Sequence, residues 1–326
     1  MILDIHGHLW KTTIGGRRYF SDAALAEWAS NFALGNDPSI DVETAVNADG
    51  AMLVEGLDAA EVALGEEYRI CAFAIDLRPR FAMEVGIRDL NDWVIEQAGV
   101  DDRDRILPFA CMTPTMEDAA AEVLRSAARG VRGFKIYPPT GFFPDDPAAA
   151  PFWTAVREAQ HREGRRLPVL VHQGFSYSGS SWARPVHLQD VAVRYGPDIR
   201  LIVAHVGSPW TDEALWLAGI HENVYLDIAA FGDLAGWWPE IHAEALSKAK
   251  RVGAIDRVLY GTDWPLCSYW LPPSDGGPPW RNLHEVAIAM RALRVPAPLI
   301  EMGLPELTAE DLRGVLGTNA ESLLNS

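Results

Sequence analysis

Residues 199–205 read IRLIVAH: four apolar residues in a row, then a histidine. A short run that is apolar at every position is the mark of a strand buried on both faces. The pattern recurs at Pro168–His172 (PVLVH), about thirty residues earlier, the usual length of a βαβ unit. Working outward, six more short β-branched or apolar runs are strand candidates, several of them apolar on both faces: Ile2–Ile5 (ILDI), Arg69–Ile75 (RICAFAI), Ile106–Cys111 (ILPFAC), Val131–Tyr137 (VRGFKIY), Val224–Ile228 (VYLDI) and Arg257–Tyr260 (RVLY). Between them, Asn91–Ala98, Met116–Arg129, Pro151–Glu163 and Pro239–Arg251 carry apolar residues at three- and four-residue spacing, the mark of amphipathic helices. Eight strands with intervening helices predict an α/β fold, a closed (β/α)8 TIM barrel; a doubly wound open sheet is the alternative. The whole chain, 1–326, is expected to form one such domain. Residues 9–48 and 264–281 break the repeat and read as long loops after the first and last strands. On a barrel both would lie at the C-terminal face, where active sites are built.

Composition narrows the function. The formal net charge is −17 and the sequence pI about 4.9, a field that repels phosphate backbones and argues against nucleic-acid binding. Cys71, Cys111 and Cys267 form no CxxC pair and no disulfide framework. MILDIHGHLW at the start lacks the features of a secretory signal, and no run approaches 18 apolar residues, so a cytoplasmic protein without a membrane span is expected. GFSYSGS after His172 is not GxSxG, and neither GxGxxG nor GxxxxGK[ST] occurs, so a nucleophile elbow and nucleotide cofactors are unsupported.

Chemistry-bearing side chains gather at the predicted strand ends. His6 and His8 end the first strand; two residues apart on an extended chain, they point to one face and can grip one ion. Lys135 lies in the fourth strand, His172 ends the fifth, His205 ends the sixth, and Asp263 follows the eighth in GTDWP. Closing the sheet would bring all six to one mouth. A buried strand has little reason to end in imidazole unless something binds it, although a satisfied strand-end histidine is the bland alternative for His172 and His205. Asp263 could ligate a metal and take a proton from water, or simply shape a turn before proline. Lys135 as an ammonium has no lone pair and cannot ligate; carboxylated by carbon dioxide, it becomes an anion able to bridge two ions. His161, His187, His221, His242 and His284 read as surface histidines, with His187 the nearest to the mouth.

LDIHGH, GFKIYPP, VLVHQG, LIVAHVG and GTDWP, in this order, resemble the amidohydrolase superfamily, and GVLGTNAESLL resembles the closing helix of its amidohydrolase-related branch, which includes aminocarboxymuconate-semialdehyde decarboxylase. The resemblance spans residues 2–324. It implies that His6, His8, His172 and Asp263 ligate metal. His205 would bind a second metal, as in binuclear members, or act catalytically, as in the mononuclear decarboxylases. KIYP resembles the carboxylated-lysine segment of dihydroorotases, which decarboxylase relatives generally lack, so the metal count stays open at one or two. Zinc is the first expectation, with manganese, iron and nickel also suited to imidazole.

Around the mouth, Trp10, Tyr137, Trp182, Trp210, Phe231, Trp264 and Trp270 are candidates to shape a pocket, with Trp10, Tyr137, Trp210 and Trp264 the expected substrate contacts; loop packing is the competing role. Arg78 and Arg184 could bind a substrate carboxylate or be surface residues. Three functions follow. The first is hydrolysis of an ester, lactone or amide of a small molecule by metal-activated water, with Asp263 and His205 catalytic. The second is non-oxidative decarboxylation or hydration of an aromatic or unsaturated acid. The third is ligand binding without turnover. A homo-oligomer is compatible with the sequence.

Overall fold

The computed structural model describes residues 1–35, 41–176, 179–229, 239–266 and 278–325, the side chains of 30–35 excepted. Eight parallel strands form one sheet in sequence order: β1 Ile2–His8, β2 Tyr68–Phe73, β3 Ile106–Cys111, β4 Gly133–Ile136, β5 Val169–Val171, β6 Leu201–Val203, β7 Val224–Asp227 and β8 Val258–Leu259. The sheet closes. The Ile5 N–H donates to Tyr260 O at 2.9 Å, Asp263 N–H to His6 O at 2.9 Å and His8 N–H to Trp264 O at 2.6 Å. β1 therefore pairs with β2 on one side and with the segment running on from β8 on the other, which excludes the open-sheet alternative and makes the fold a (β/α)8 barrel.

The alternation of strand side chains separates two cores. Leu3, Ile5, Cys71, Phe73, Leu107, Phe109, Leu170, Ile202 and Leu259 point into the barrel. Residues of the opposite parity, such as Ile70, Phe134, Val169, Val203 and Leu226, meet the surrounding helices. Ala320, Leu323 and Leu324 of the C-terminal helix Asn319–Asn325 join the interior cluster. Asn319 Nδ2 donates to Ile255 O and Val258 O, which ties this helix under the start of β8. The N-terminal end of the barrel is thus filled with hydrocarbon, and the polar interior is confined to the other end.

β1 contains the irregularity that makes the site. Leu3 and Ile5 face inward, and simple alternation would then turn His6 outward. The register with β2 shifts between Asp4 and Gly7. Such a bulge re-aims the residues beyond it, so His6 and His8 both face the interior. Glycine at position 7 lets Ile70 pack closely: a Cβ there would lie 2.5 Å from Ile70 Cδ1 and displace that side chain. Asp4 pins the bulge, accepting from His6 N–H at 2.9 Å, Thr262 Oγ1 at 2.6 Å and Tyr68 OH at 3.2 Å.

The reading of the first connection needs correction. Residues 9–48 are not simply a loop: they hold a hairpin pairing Thr13–Ile14 with Arg17–Arg18 and helices over Asp22–Gly35 and Val42–Ala45. The Gly15–Gly16 pair, which reads as loop, is the hairpin's turn, both residues at positive φ. Helices also form over Gly50–Leu64 and Thr211–Ile220. In the latter Trp216 and Ile220 are exposed, so apolar residues circle the helix and blur its period. Phe231, Cys267 and Trp270 lie outside the described residues. Among the described residues, no helix is long and apolar enough to cross a membrane.

Candidate metal centre

Three strand ends bring His6 Nε2, His8 Nε2 and Asp263 Oδ1 together. One ligand atom from each lies within 4.8 Å of the others, and all three residues are buried. Asp263 Oδ1 is 2.9 Å from His8 Nε2 and 3.3 Å from His6 Nε2. Burial would push its carboxyl up, but His6, His8 and His205 hold it well below the usual carboxylate range, so it is an anion. Burial and the charge of Lys135 hold His6 well below the ordinary imidazole value, and burial lowers His8. Neutral imidazoles beside an anionic carboxylate are the protonation states a divalent cation requires.

The orientation of His6 is set by a residue that sequence reasoning missed. Asp227, the last residue of β7, places Oδ2 2.5 Å from His6 Nδ1 with both side chains fully buried. A proton held on Nδ1 leaves the Nε2 lone pair facing His8 and Asp263, the arrangement that fixes tautomer and raises basicity in metal-ligating histidines. Gly261 makes room for this pair: a Cβ there would lie 2.4 Å from Asp227 Oδ1 and 3.0 Å from His6 Cβ. The only signal in the sequence is an aspartate interrupting the apolar run VYLDI. Asp227→Asn is expected to weaken zinc affinity by about 10–100-fold with the circular dichroism spectrum unchanged; competition with a chromophoric chelator measures it, and unaltered affinity would remove Asp227 from the centre.

A second donor group lies alongside. His205 Nδ1 donates to Ala229 O at 2.7 Å, leaving Nε2 to accept from His172 Nδ1 at 3.1 Å. That chain of hydrogen bonds leaves His172 Nε2 buried without a hydrogen-bond partner, a lone pair aimed at no protein group. The His205 ring centroid is 5.0 Å from that of His6, so the two groups adjoin. Holding His205 there takes backbone strain: φ is 56° at His205 and 46° at the β-branched Val206, and Asp263 also has φ 60°. Such residues cost on the order of 1–3 kcal/mol each and persist where the surroundings over-determine them.

Lys135 lies between the groups. Its Nζ is 3.3 Å from His6 Nε2 and 4.8 Å from the centre of the Phe73 ring. Burial brings its pKa down to about 8, against the pull of Asp263 and Asp227. Burying an ammonium costs several kcal/mol, and Lys135 is one of four lysines in the chain. This donor set fits divalent metal: two neutral imidazoles and a carboxylate in one group, a lone pair on His172 in the other, and an amine between them.

Above the centre is a cavity of about 260 Å3 that reaches His8, His172, His205 and Asp263 and is otherwise lined by Trp28, Ile75, Tyr137, Phe175, Ser176, Ser208 and Leu266. Of the six proposed substrate contacts only Tyr137 lines it. Trp10 is fully buried and stacks on the His8 ring at 4.4 Å, from outside the cavity. Trp264 is buried with its indole N–H on Trp280 O. Arg78 binds Asp76 and Asp118, and Arg184 binds Glu213 and covers the Trp210 ring, so these three are engaged elsewhere. An arginine or tryptophan after a strand end has a choice of partners that its position in the chain does not reveal. The lining residue Trp28 was missed because it belongs to the helix hidden in the presumed loop. His242 is buried in its helix, not at the surface.

Comparison with known proteins agrees with this architecture. An uncharacterized TIM-barrel protein of Bordetella bronchiseptica has TM-score 0.64 at 20% identity, over 99% of this chain and 98% of that one. An amidohydrolase of Burkholderia multivorans has TM-score 0.63 at 17% identity over 99% of both chains. A protein of Acinetobacter baumannii described as a probable 2-pyrone-4,6-dicarboxylic acid hydrolase has TM-score 0.60 at 15% identity over 99% and 98%. Protein fluG of Emericella nidulans is 26% identical over 108 residues, 32% of this chain but 12% of that protein's length. The family described as amidohydrolase matches residues 3–325. That match runs unbroken from β1 to the C-terminal helix and includes every strand end that feeds the centre, so the chain belongs to the amidohydrolase family.

Proposed function

We propose that the chain is a metal-dependent hydrolase acting on an ester, lactone or amide of a small molecule, with a lactone first. The observation that carries this reading is the meeting of His6 Nε2, His8 Nε2 and Asp263 Oδ1 within 4.8 Å at the floor of a cavity. His6, His8 and Asp263 would hold one divalent ion, zinc by preference, and His172 a second, joined by His205 once its Nε2 gives up the hydrogen bond from His172. When bound, divalent metal supplies the Lewis acidity that lets water attack a carbonyl at neutral pH. Asp263, anionic and open to the cavity, takes the proton of the attacking water and delivers it to the leaving oxygen or nitrogen. Tyr137 and Trp28 hold the substrate over it. A 2-pyrone is a cyclic unsaturated ester, so the description of the Acinetobacter protein supports the lactone choice. The decarboxylase alternative needs a carboxylate-binding arginine, and Arg78 and Arg184 are committed to other partners.

Lys135 is proposed to act as a carbamate. The neutral amine attacks carbon dioxide, an N–C bond forms and a proton leaves, which gives the anion two adjoining cation sites need. With a pKa of about 8, about a tenth of the amine is neutral at pH 7, against less than about a thousandth for an ordinary lysine. Carboxylation, and zinc uptake with it, is therefore expected to rise between pH 7 and pH 9. Elemental analysis after zinc and bicarbonate loading should give two ions per chain, and native mass spectrometry an added carbon dioxide that Lys135→Met lacks. A protein that takes up no metal under any of these conditions would end the hydrolase reading.

A further inference from the structure

The placement of the chain's cations bears on the charge of the substrate. Among the described residues, no arginine lines the cavity, and Lys135 lies beneath it among the candidate ligands. The segments outside the described residues, 36–40, 177–178, 230–238, 267–277 and 326, contain no Arg, Lys or His; they carry Asp37, Asp233 and Asp275. They can bring no cationic side chain to the mouth. The cations that follow strand ends are matched by carboxylates: Lys11 by Asp49, Arg78 by Asp76 and Asp118, Arg80 by Glu27 and Arg184 by Glu213. Arg157, Arg165 and Arg166 line a different cleft with Asp198, on the segment leading into β5 and so at the opposite end of the barrel.

Three backbone donors of the described wall are already engaged. The Phe175 N–H donates to Ser208 O, the Ser176 N–H to Ser180 Oγ and the Ser208 N–H to His205 O. Tyr137 OH and Ser176 Oγ bond each other at 3.0 Å. An anionic group entering these walls would lose water and meet no cationic side chain among the described lining residues in exchange. The walls suit a flat ring instead: the Trp28 and Tyr137 rings are 6.4 Å apart and inclined by 31°.

Resting on the hydrolase reading, we infer that the site takes a ring-bearing ester or lactone with no anionic group and selects against substrates that carry a carboxylate away from the scissile bond. The test uses 3,4-dihydrocoumarin and its 6-carboxylate as substrates, with the corresponding lactams, 3,4-dihydroquinolin-2-one and its 6-carboxylate, whose unstrained amide bond is far harder to hydrolyse, as binding probes. Calorimetry on the metal-free and the zinc-loaded protein should show the uncharged lactam bound at least tenfold tighter than its carboxylate in both forms. Equal affinity, tighter binding of the carboxylate, or binding of neither lactam would overturn the inference. Phe175 is 61% exposed where it lines the cavity, so Phe175→Arg places a guanidinium in the wall without disturbing the core. It should cancel or reverse the preference, and an unmoved preference in that folded variant would also overturn it. A binding contrast without hydrolysis of either lactone leaves this inference standing and removes the hydrolase reading alone.

Discussion

Asp263→Asn is expected to lower lactone hydrolysis on the order of 10²–10⁴-fold, the range for loss of a positioned acid–base group, while the barrel stays folded. Asparagine is the informative replacement. Asp263 has φ 60°, a left-handed conformation that asparagine tolerates and most other side chains do not. Its amide oxygen can still accept from His8 Nε2 at the 2.9 Å separation present now, so the shape of the centre survives. The charge that attracts a cation and the base that takes a proton do not. Steady-state kinetics and metal content should be measured on the same preparation. A variant that kept both near wild-type values would show Asp263 to be a turn residue and nothing more.

His8→Ala has an effect of similar size through a different route. It leaves one imidazole and one carboxylate in the first donor group, and zinc should be lost on dialysis, with activity falling below detection. Trp10 stacks on the His8 ring at 4.4 Å with the planes 6° apart, so the variant opens a small cavity beside a buried indole. A large-to-small change of this kind costs a few kcal/mol, which a barrel of this size survives. Indole fluorescence reports the lost stack independently of activity. Activity surviving in metal-free His8→Ala protein would falsify the metalloenzyme reading.

How much of this could be read before folding differs from residue to residue. PVLVH and IRLIVAH show His172 and His205 because each interrupts a run that is otherwise hydrocarbon. HGH shows a pair with a common direction. Asp227 is fully buried and bonds the His6 ring, yet one aspartate after Leu226 carries no comparable contrast, and its partner His6 is 221 residues away. Asp4 is hidden in the same way: its contacts to His6 and Thr262 join the two ends of the barrel wall. The bulge that turns both His6 and His8 inward leaves no mark beyond Gly7, since a register shift is a relation between two strands.

The sequence by itself determined the alternation of strands and helices, the number of strands and the imidazoles and carboxylate that end them, because burial on both faces and metal ligation each demand particular residue types at particular positions. Only the tertiary structure decided which neighbours the flexible and amphipathic side chains chose. Arg78 and Arg184 reach carboxylates, Trp10 and Trp264 pack behind the ligands, and Trp28 arrives from the helix in the connection after β1 to line the cavity. Those choices are contests between alternative long-range contacts of similar energy, and closing the barrel settles them by bringing some partners within reach and placing others on the far side of the wall.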